Sequence, residues 1–274
     1  MTRWAFGASL PRILAVALLC GLAAACAKRP PVTDVDARAR YEEANDPMEP
    51  MNRAVFSFNN GFYHYVLDPL TDGYEAVVPR PARDGFRNFL RNLASPIRLI
   101  NDILQGEPKQ AGVTVGRFFT NTTIGIGGLF DPAAKMGMPF HDEDFAQTLA
   151  RWGAHEGAYV VWPVIGPYSL RDSVGFLGDL LMDPVTWILK GEKLNYLNWA
   201  RAGSEGLVTY EDVRGDLKSV QEDSLDPYAA VRSLQRQRRD YAIKNGDLHP
   251  DATPAPEDPF SSEFEDFPDL DEDQ

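Results

Sequence analysis

Apolar residues recur at helical spacing along most of this 274-residue chain. In the first such stretch they are three, four and three residues apart, on one face of a helix: Val55, Phe58, Phe62 and Tyr65. Comparable spacing recurs in residues 83–93, 95–104, 108–119, 142–152, 170–182, 194–211 and 227–245. The polar–apolar alternation of half-buried strands is almost absent. The pattern therefore predicts an all-α fold of amphipathic helices.

Residues typical of helix N-termini precede several of these stretches. Asn45 or Asp46, followed by proline, is the expected cap of the first helix. Ser95, before Pro96, is expected to cap a later helix, and Ser169 to cap the helix at 170–182.

The turns between these helices are themselves apolar and rich in glycine and proline. Residues 122–130 combine three glycines with isoleucine, leucine and phenylalanine, and residues 159–168 are too interrupted by proline and glycine for a core strand. Loops normally run polar over a protein surface. Apolar turns therefore favour helices that lie within one membrane leaflet and contact lipid. The alternative is that every apolar stripe belongs to an ordinary core.

The first 25 residues have the layout of a cleavable export signal. Arg3 and Arg12 accompany an apolar segment, Ile13–Ala25, of 13 residues, well short of the roughly 20 that a membrane-spanning helix needs. Small residues then lead to Cys26, which predicts a bacterial lipoprotein acylated on that cysteine. Ala23 stands where leucine is usual, so an ordinary signal peptide with an incidental cysteine is the alternative.

Acylation would hold the mature protein at a membrane, because several acyl chains bind a bilayer far more firmly than one. The residue after Cys26 is Ala27 rather than an acidic residue. By analogy this favours a lipid-anchored protein of the outer membrane that faces the periplasm. Residues 26–44 form a charged tether to a helical domain at 45–246. The other cysteine, Cys20, lies in the removed segment, so no disulfide is expected.

The net charge of −13 is concentrated at the C-terminus. Residues 247–274 contain eleven acidic residues and no lysine or arginine, which predicts a disordered acidic tail. Three phenylalanines within it, Phe260, Phe264 and Phe267, leave a docking motif as the alternative. Between Cys26 and Gly246 there are 29 acidic and 25 basic residues, so nucleic acid is not an expected partner.

The sequence contains no convincing active-site or cofactor motif. His141–Asp144 resembles a metal-binding cluster, but consecutive residues at a helix start do not converge on one ion, and acidic residues suit the helix dipole there. Ser169 lacks the preceding strand and closing glycine of a nucleophile elbow. Gly125–Gly128 has neither the dinucleotide-binding spacing nor a P-loop lysine. We therefore expect no enzyme, no metal and no cofactor.

Several motifs between Asn45 and Pro184 resemble the MlaA (VacJ) family of outer-membrane lipoproteins. They are NDPMEPMNR at 45–53, FSFN at 56–59, NFLRNL at 88–93, NDILQG at 101–106, RFFTNTTIGIGGLFD at 117–131, DFAQTL at 144–149, GP at 166–167 and RD at 171–172. Ala146 and Ala158 stand where the family usually has glycine and proline, and both departures are local.

The resemblance implies a ring-like assembly of amphipathic helices in one leaflet of the outer membrane, around a central amphipathic channel. It implies removal of mislocalised phospholipids from the outer leaflet and their transfer to a periplasmic lipid-carrier protein, which maintains lipid asymmetry. It also implies association with an outer-membrane porin trimer. A porin-associated scaffold without transport activity is the alternative, and a surface phospholipase would lack a nucleophile site.

We expect residues from three motifs to line or border the channel. The apolar glycine-containing segment contributes Thr123, Gly125, Gly127, Gly128, Leu129 and Phe130. Asn88 with Phe89, and Arg171 with Asp172, are the further candidates. Two alternatives remain open: the glycine segment is a close-packed turn between helices, and Arg171–Asp172 pairs with neighbouring residues rather than with a lipid headgroup.

Overall fold

The computed structural model describes residues 34, 36, 46–189 and 194–244. The predicted signal peptide at 1–25, the lipidation site Cys26, nearly all of the tether and the acidic tail at 247–274 lie outside the described residues. Most of the described chain is helical, which confirms the predicted helical class.

The first half of the domain is a succession of helices: α1 Glu49–Phe62, α2 Asp68–Val77, α3 Arg80–Leu93, α4 Ser95–Leu104, α5 Pro108–Thr123 and α6 Pro132–Lys135. A π-helical turn, Tyr63–Leu67, joins α1 to α2. The second half contains α7 Phe145–Arg151, β1 Tyr159–Trp162, β2 Gly166–Ser169, α8 Leu170–Met182, α9 Pro184–Ile188, α10 Asn195–Asp223 and α11 Pro227–Ile243. Helix α10 extends well beyond the predicted stretch 194–211.

Local sequence explains most of the helix starts. Proline stands in the first turn of α1 to α6, where its missing N–H costs no helical hydrogen bond. The predicted cap Ser169 is confirmed: its hydroxyl accepts from the amide of Asp172 over 3.0 Å. Asp144 caps α7 in the same way, over 2.8 Å to the amide of Gln147. This helix therefore starts at Phe145 rather than at 142.

Two predicted caps are wrong. Ser95 is the first residue of α4, and its hydroxyl donates to the carbonyl of Arg91 in the preceding helix. Asp46 does not cap α1, since Met48 precedes that helix without a side-chain cap; Asn45, the other candidate, lies outside the described residues. The carboxylate of Asp46 is buried instead, and it accepts from Asn52.

The prediction of no strand at 159–168 is also wrong, because β1 and β2 form an antiparallel hairpin there. Tyr159 lies opposite Ser169, and Trp162 lies opposite Gly166. The reversal uses positive φ at two positions, +68° at Val164 and +104° at Gly166. The proline and glycine residues that argued against a strand therefore lie at the turn of a hairpin.

Two asparagines of α1 explain why so short a hairpin is stable. Asn52 and Asn59 are two helical turns apart and fully buried. The amide of Asn52 donates to the carbonyl of Tyr159 and accepts from the amide of Val161, both over 2.9 Å. Asn59 repeats this pattern, donating to the carbonyl of Trp162 and accepting from the amide of Val164. These side chains thus occupy the position of a third strand.

Contacts between the elements close into a circuit, as the predicted ring requires. Helix α1 packs on β1, and β2 packs on α8 and α11. Both of these helices pack on α7. Helix α7 packs in turn on α4, and α4 packs on α3. Helix α10 closes the circuit by linking α3 to α2. Its Glu211 lies 3.3 Å from Arg87 of α3, and its Arg214 lies 2.7 Å from Asp72 of α2.

Candidate functional site: a polar interior and a glycine turn

The described part of the molecule is polar inside and apolar outside. Nineteen polar or charged residues are buried there, against ten hydrophobic ones, and 33 large hydrophobic residues are exposed. In the first predicted apolar stripe, Phe58 of α1 and Tyr65 of the π-helical turn are 56% and 78% exposed. Water-soluble monomers rarely expose large apolar patches. The outer surface therefore suits contact with acyl chains.

A compact turn after α5 holds half of the ten predicted channel residues. We call residues 124–130 the glycine turn. Its backbone folds back onto the end of α5, because the amides of Gly127 and Gly128 donate to the carbonyls of Thr122 and Asn121 over 2.9 and 2.8 Å. The turn therefore satisfies much of its own hydrogen bonding without a neighbouring chain.

Glycine is required by close packing at two positions of this turn. Gly128 has φ of +93°, and a Cβ there would lie 2.6 Å from Cβ of Asn92. Gly125 is enclosed by the backbone of Asn121 and Phe130. This geometry matches the close-packed alternative for the segment. Its position beside a channel stays a prediction.

The apolar side chains of the glycine turn nevertheless point outward. Four of them are exposed: Ile124, Ile126, Leu129 and Phe130. Thr123 is exposed at the end of α5. Helix α3 lies alongside: the amide of Asn88 donates to the carbonyl of Leu129 over 3.5 Å, and Asn92 donates to Thr122 over 2.9 Å. Phe89, 37% exposed, stacks on Phe86. The structure thus brings the α3 candidates and the glycine turn together.

The other predicted pair, Arg171–Asp172, makes its contacts elsewhere, at the start of α8. Asp172 accepts from Arg171 and from Arg239 of α11, over 3.3 and 3.1 Å, and its second oxygen accepts from the amide of Ser169. These contacts match the pairing alternative. A contact with a lipid headgroup stays a prediction for these two residues.

A buried polar layer joins α4, α7 and α8. Asn101 donates to Asp179 and accepts from Thr148, both over 2.9 Å, and the amide of Phe145 also donates to Asp179. Burial raises the pKa of Asp179 to about 6, although these hydrogen bonds oppose the shift. Burial likewise raises the pKa of Glu143. Burial acts to raise the pKa of Asp144 too, but Arg239 outweighs it and holds that pKa low.

As predicted, the side chains of His141 and Asp144 do not converge on one point but bind different partners. Nε2 of His141 lies 3.1 Å from Asp102 and 3.1 Å from the hydroxyl of Thr114. Asp144 instead caps α7 and pairs with Arg239 at 2.6 Å. Over the described ranges, no group of three or more histidine, cysteine or acidic side chains is placed to hold a metal.

Three arginines surround one aromatic ring at the junction of α3, α4 and α5. The guanidinium carbons of Arg91 and Arg98 each lie 4.7 Å from the ring centroid of Phe140, and that of Arg117 lies 5.6 Å away. We call this group the Phe140 cluster. It was not among the predicted site residues, since its members come from four separate segments of the chain and share no motif.

Sequence reasoning also missed the buried asparagines. Asn52 and Asn59 follow each other at a spacing of seven on one helix, and this periodicity was the available signal. Helices were predicted from apolar spacing alone, with lipid and core both left open as the surroundings of each stripe, so the polar residues between the apolar ones received no role. In α1 the buried asparagines lie beside Val55 and Phe56, which are half-buried against Tyr159, Val161 and Tyr228.

A helical body with a polar interior and an apolar exterior defines a protein built to contact lipid. In the described stretches, no helix combines the length and the apolar character needed to cross a membrane. The chain belongs to the MlaA lipoprotein family, whose family model matches residues 44–242.

Relatives with this family name come from several bacteria. The intermembrane phospholipid transport system lipoprotein MlaA of Escherichia coli K12 is 33% identical over 247 residues, which cover 89% of this chain and 93% of the relative. The protein of the same name in Haemophilus influenzae is 30% identical over 76% of this chain and 83% of its own length. A structure solved in work on the "structural basis for maintenance of bacterial outer membrane lipid asymmetry" matches with a TM-score of 0.61 and 34% identity. The match covers 72% of this chain and 98% of that one.

Proposed function

We propose that this protein is the outer-membrane lipoprotein of an intermembrane phospholipid transport system. In this role it removes mislocalised phospholipids from the outer leaflet and passes them to a periplasmic carrier, which maintains lipid asymmetry. The relatives' names support this assignment. The observation that carries it is the inverted burial, polar inside and apolar outside.

The inversion suits the physical problem of moving a phospholipid. A headgroup that enters hydrocarbon loses its hydrogen bonds to water, at a cost of several kcal/mol for each polar group left unpaired. A path lined by polar side chains removes that cost, while the acyl chains stay against the apolar exterior. No covalent bond forms or breaks, so the transfer needs a path and a concentration gradient rather than a nucleophile.

We place the channel beside the glycine turn and α3. The exposed Leu129 and Phe130 offer apolar contacts there, and Asn88 of α3, whose bond to Leu129 is long at 3.5 Å, offers an amide. In this proposal, Cys26 carries the acyl anchor, the body faces the periplasm within one leaflet, and a porin trimer holds it at the outer membrane.

A porin-associated scaffold is the second candidate. The close packing of Gly125 and Gly128 favours it, because a static turn needs no opening. The two functions differ in their response to charge at Gly127, where φ is +70° and nothing lies within 4 Å of an added Cβ. Asn and Asp both tolerate positive φ, so Gly127→Asn and Gly127→Asp differ only in charge.

The test is complementation of a gene-deletion strain, with outer-leaflet phospholipid measured by a membrane-impermeant amine reagent. We expect the deletion to raise surface phospholipid and sensitivity to detergent plus chelator. Wild type and Gly127→Asn should restore asymmetry, whereas Gly127→Asp should not. Unchanged surface phospholipid in the deletion strain contradicts the transport function. Equal restoration by both variants, at equal protein levels, favours the scaffold.

A further inference from the structure

We propose that Arg91, held against Phe140 beside Arg98, is a binding site for the phosphate group of a phospholipid. The inference rests on the proposed transport function and names the chemical group by which the protein holds its cargo. It is carried by the geometry and charge balance of the Phe140 cluster.

The Phe140 cluster concentrates positive charge. Arg91 and Arg98 each contact the Phe140 ring at 4.7 Å, an arrangement in which the ring attracts each cation. Arg98 also donates to the backbone carbonyl of Arg91 over 3.3 Å, which ties the two arginines together. Three guanidinium groups around one ring repel one another unless anions compensate them.

Two of the three arginines have close carboxylates. Arg98 is buried and pairs with Asp142 at 3.1 Å. Arg117 pairs with Asp131 at 2.7 Å, and it also donates to the carbonyl of Met138. The charges of both are therefore balanced within the protein.

Arg91 is the least compensated member. Its side chain is 45% exposed, and the carboxylate paired with it, Asp212, is 4.0 Å away, at the limit of an ion pair. The other oxygen of Asp212 is already bound by Arg87 at 2.7 Å. Arg91 thus offers an accessible guanidinium, a group that binds phosphate oxygens two at a time.

The surroundings favour a lipid phosphate over a soluble one. The ring of Phe140, which is 36% exposed, lies in contact with Arg91. Arg91 is one helical turn from Asn88, which bonds to the glycine turn. A phosphate on Arg91 would therefore have apolar surface beside it for acyl chains, at the border of the proposed channel.

The test measures lipid binding by the purified full-length protein in dodecyl maltoside. The probes are phosphatidylglycerol and phosphatidylethanolamine, with diacylglycerol of the same acyl chains as the phosphate-free control. Arg91→Gln should weaken binding of both phospholipids about tenfold, the size expected for a charge-assisted pair, and leave diacylglycerol binding unchanged. Arg91→Lys should have an intermediate effect because it keeps the charge without the planar fork.

Arg80→Gln is the matched control, since it removes the same charge from an exposed position at the start of the same helix; its binding should equal that of wild type. Phe140→Leu keeps Arg91 and removes the ring, and it should also reduce phospholipid binding. Circular dichroism checks that every variant is folded.

Phospholipid binding by Arg91→Gln equal to that of Arg80→Gln overturns the site and leaves the transport function standing. Wild-type binding of phosphatidylglycerol no tighter than of diacylglycerol also overturns the site, and the complementation experiment then decides the function separately. Competition by inorganic phosphate at concentrations similar to the lipid overturns the lipid assignment, because the site would then serve a soluble anion.

Discussion

Replacement of Asn52 by leucine should destabilise the protein strongly, even though it puts a hydrophobic side chain into a buried position. Asn52 is fully buried and bonds to the carbonyl of Tyr159 and the amide of Val161, both over 2.9 Å. Leucine fills a similar volume but leaves both backbone groups without a partner. A buried polar group left unsatisfied costs about 1–3 kcal/mol. Burial of the leucine side chain offsets a small part of the sum for two groups, so the expected loss is about 2–5 kcal/mol.

Thermal unfolding in detergent, followed by far-ultraviolet circular dichroism, measures this loss. For a domain of this size, 1 kcal/mol corresponds to about 2–4 °C in Tm, so Asn52→Leu should lower Tm by about 4–20 °C. The matched control is Asn60→Leu on the same helix, where the amide oxygen accepts from Gln221 at 3.1 Å; its cost should be about 1 kcal/mol or less. Equal Tm values for the two variants would refute the view that the Asn52 amide serves as a strand.

Three further predictions concern the turn, a buried acid and the anchor. Gly127→Ala should cost roughly 1–2 kcal/mol through its positive φ alone, and Gly128→Ala should cost about 1–3 kcal/mol more because Asn92 blocks the new Cβ; comparison of their Tm values checks this. Asp179→Asn should become more stable relative to wild type as pH rises from 4 to about 6. The raised pKa of Asp179 means that its protonated form stabilises the fold at low pH and that this contribution is lost through about 6. The gain is at most about 3 kcal/mol, reduced by partial exposure, and flat stability differences across this range would contradict it. Cys26→Ala should abolish labelling by radioactive palmitate, and persistent label would rule out acylation at Cys26.

The helices could be predicted from the sequence because their determinants are local. Proline in the first turn of α1 to α6 and the cap at Ser169 act within four residues of each helix start. The hairpin could not be predicted in this way. Its edge is completed by Asn52 and Asn59, more than 100 residues away. No pattern in the sequence around 159–168 indicates these partners.

The side of each helix that faces inward was the harder question. An apolar stripe has the same spacing whether it faces a core or faces lipid, so Phe58 and Tyr65 could be placed on one face but not on the correct side of the molecule. The glycine segment was recognised by its composition. Its close approach to Asn92 depends on the packing of α5 against α3, which no local pattern specifies.

The pairing of Asn52 and Asn59 with β1 bears on how this protein avoids self-association. A strand with free N–H and C=O groups along one side is a template on which a second chain can add, and two strands alone are only marginally stable. Here the side-chain amide of Asn52 already bonds to the outward-facing carbonyl of Tyr159 and N–H of Val161. At the crowded surface of a membrane, where copies meet often, the outer edge of β1 is therefore closed to a strand from a second copy.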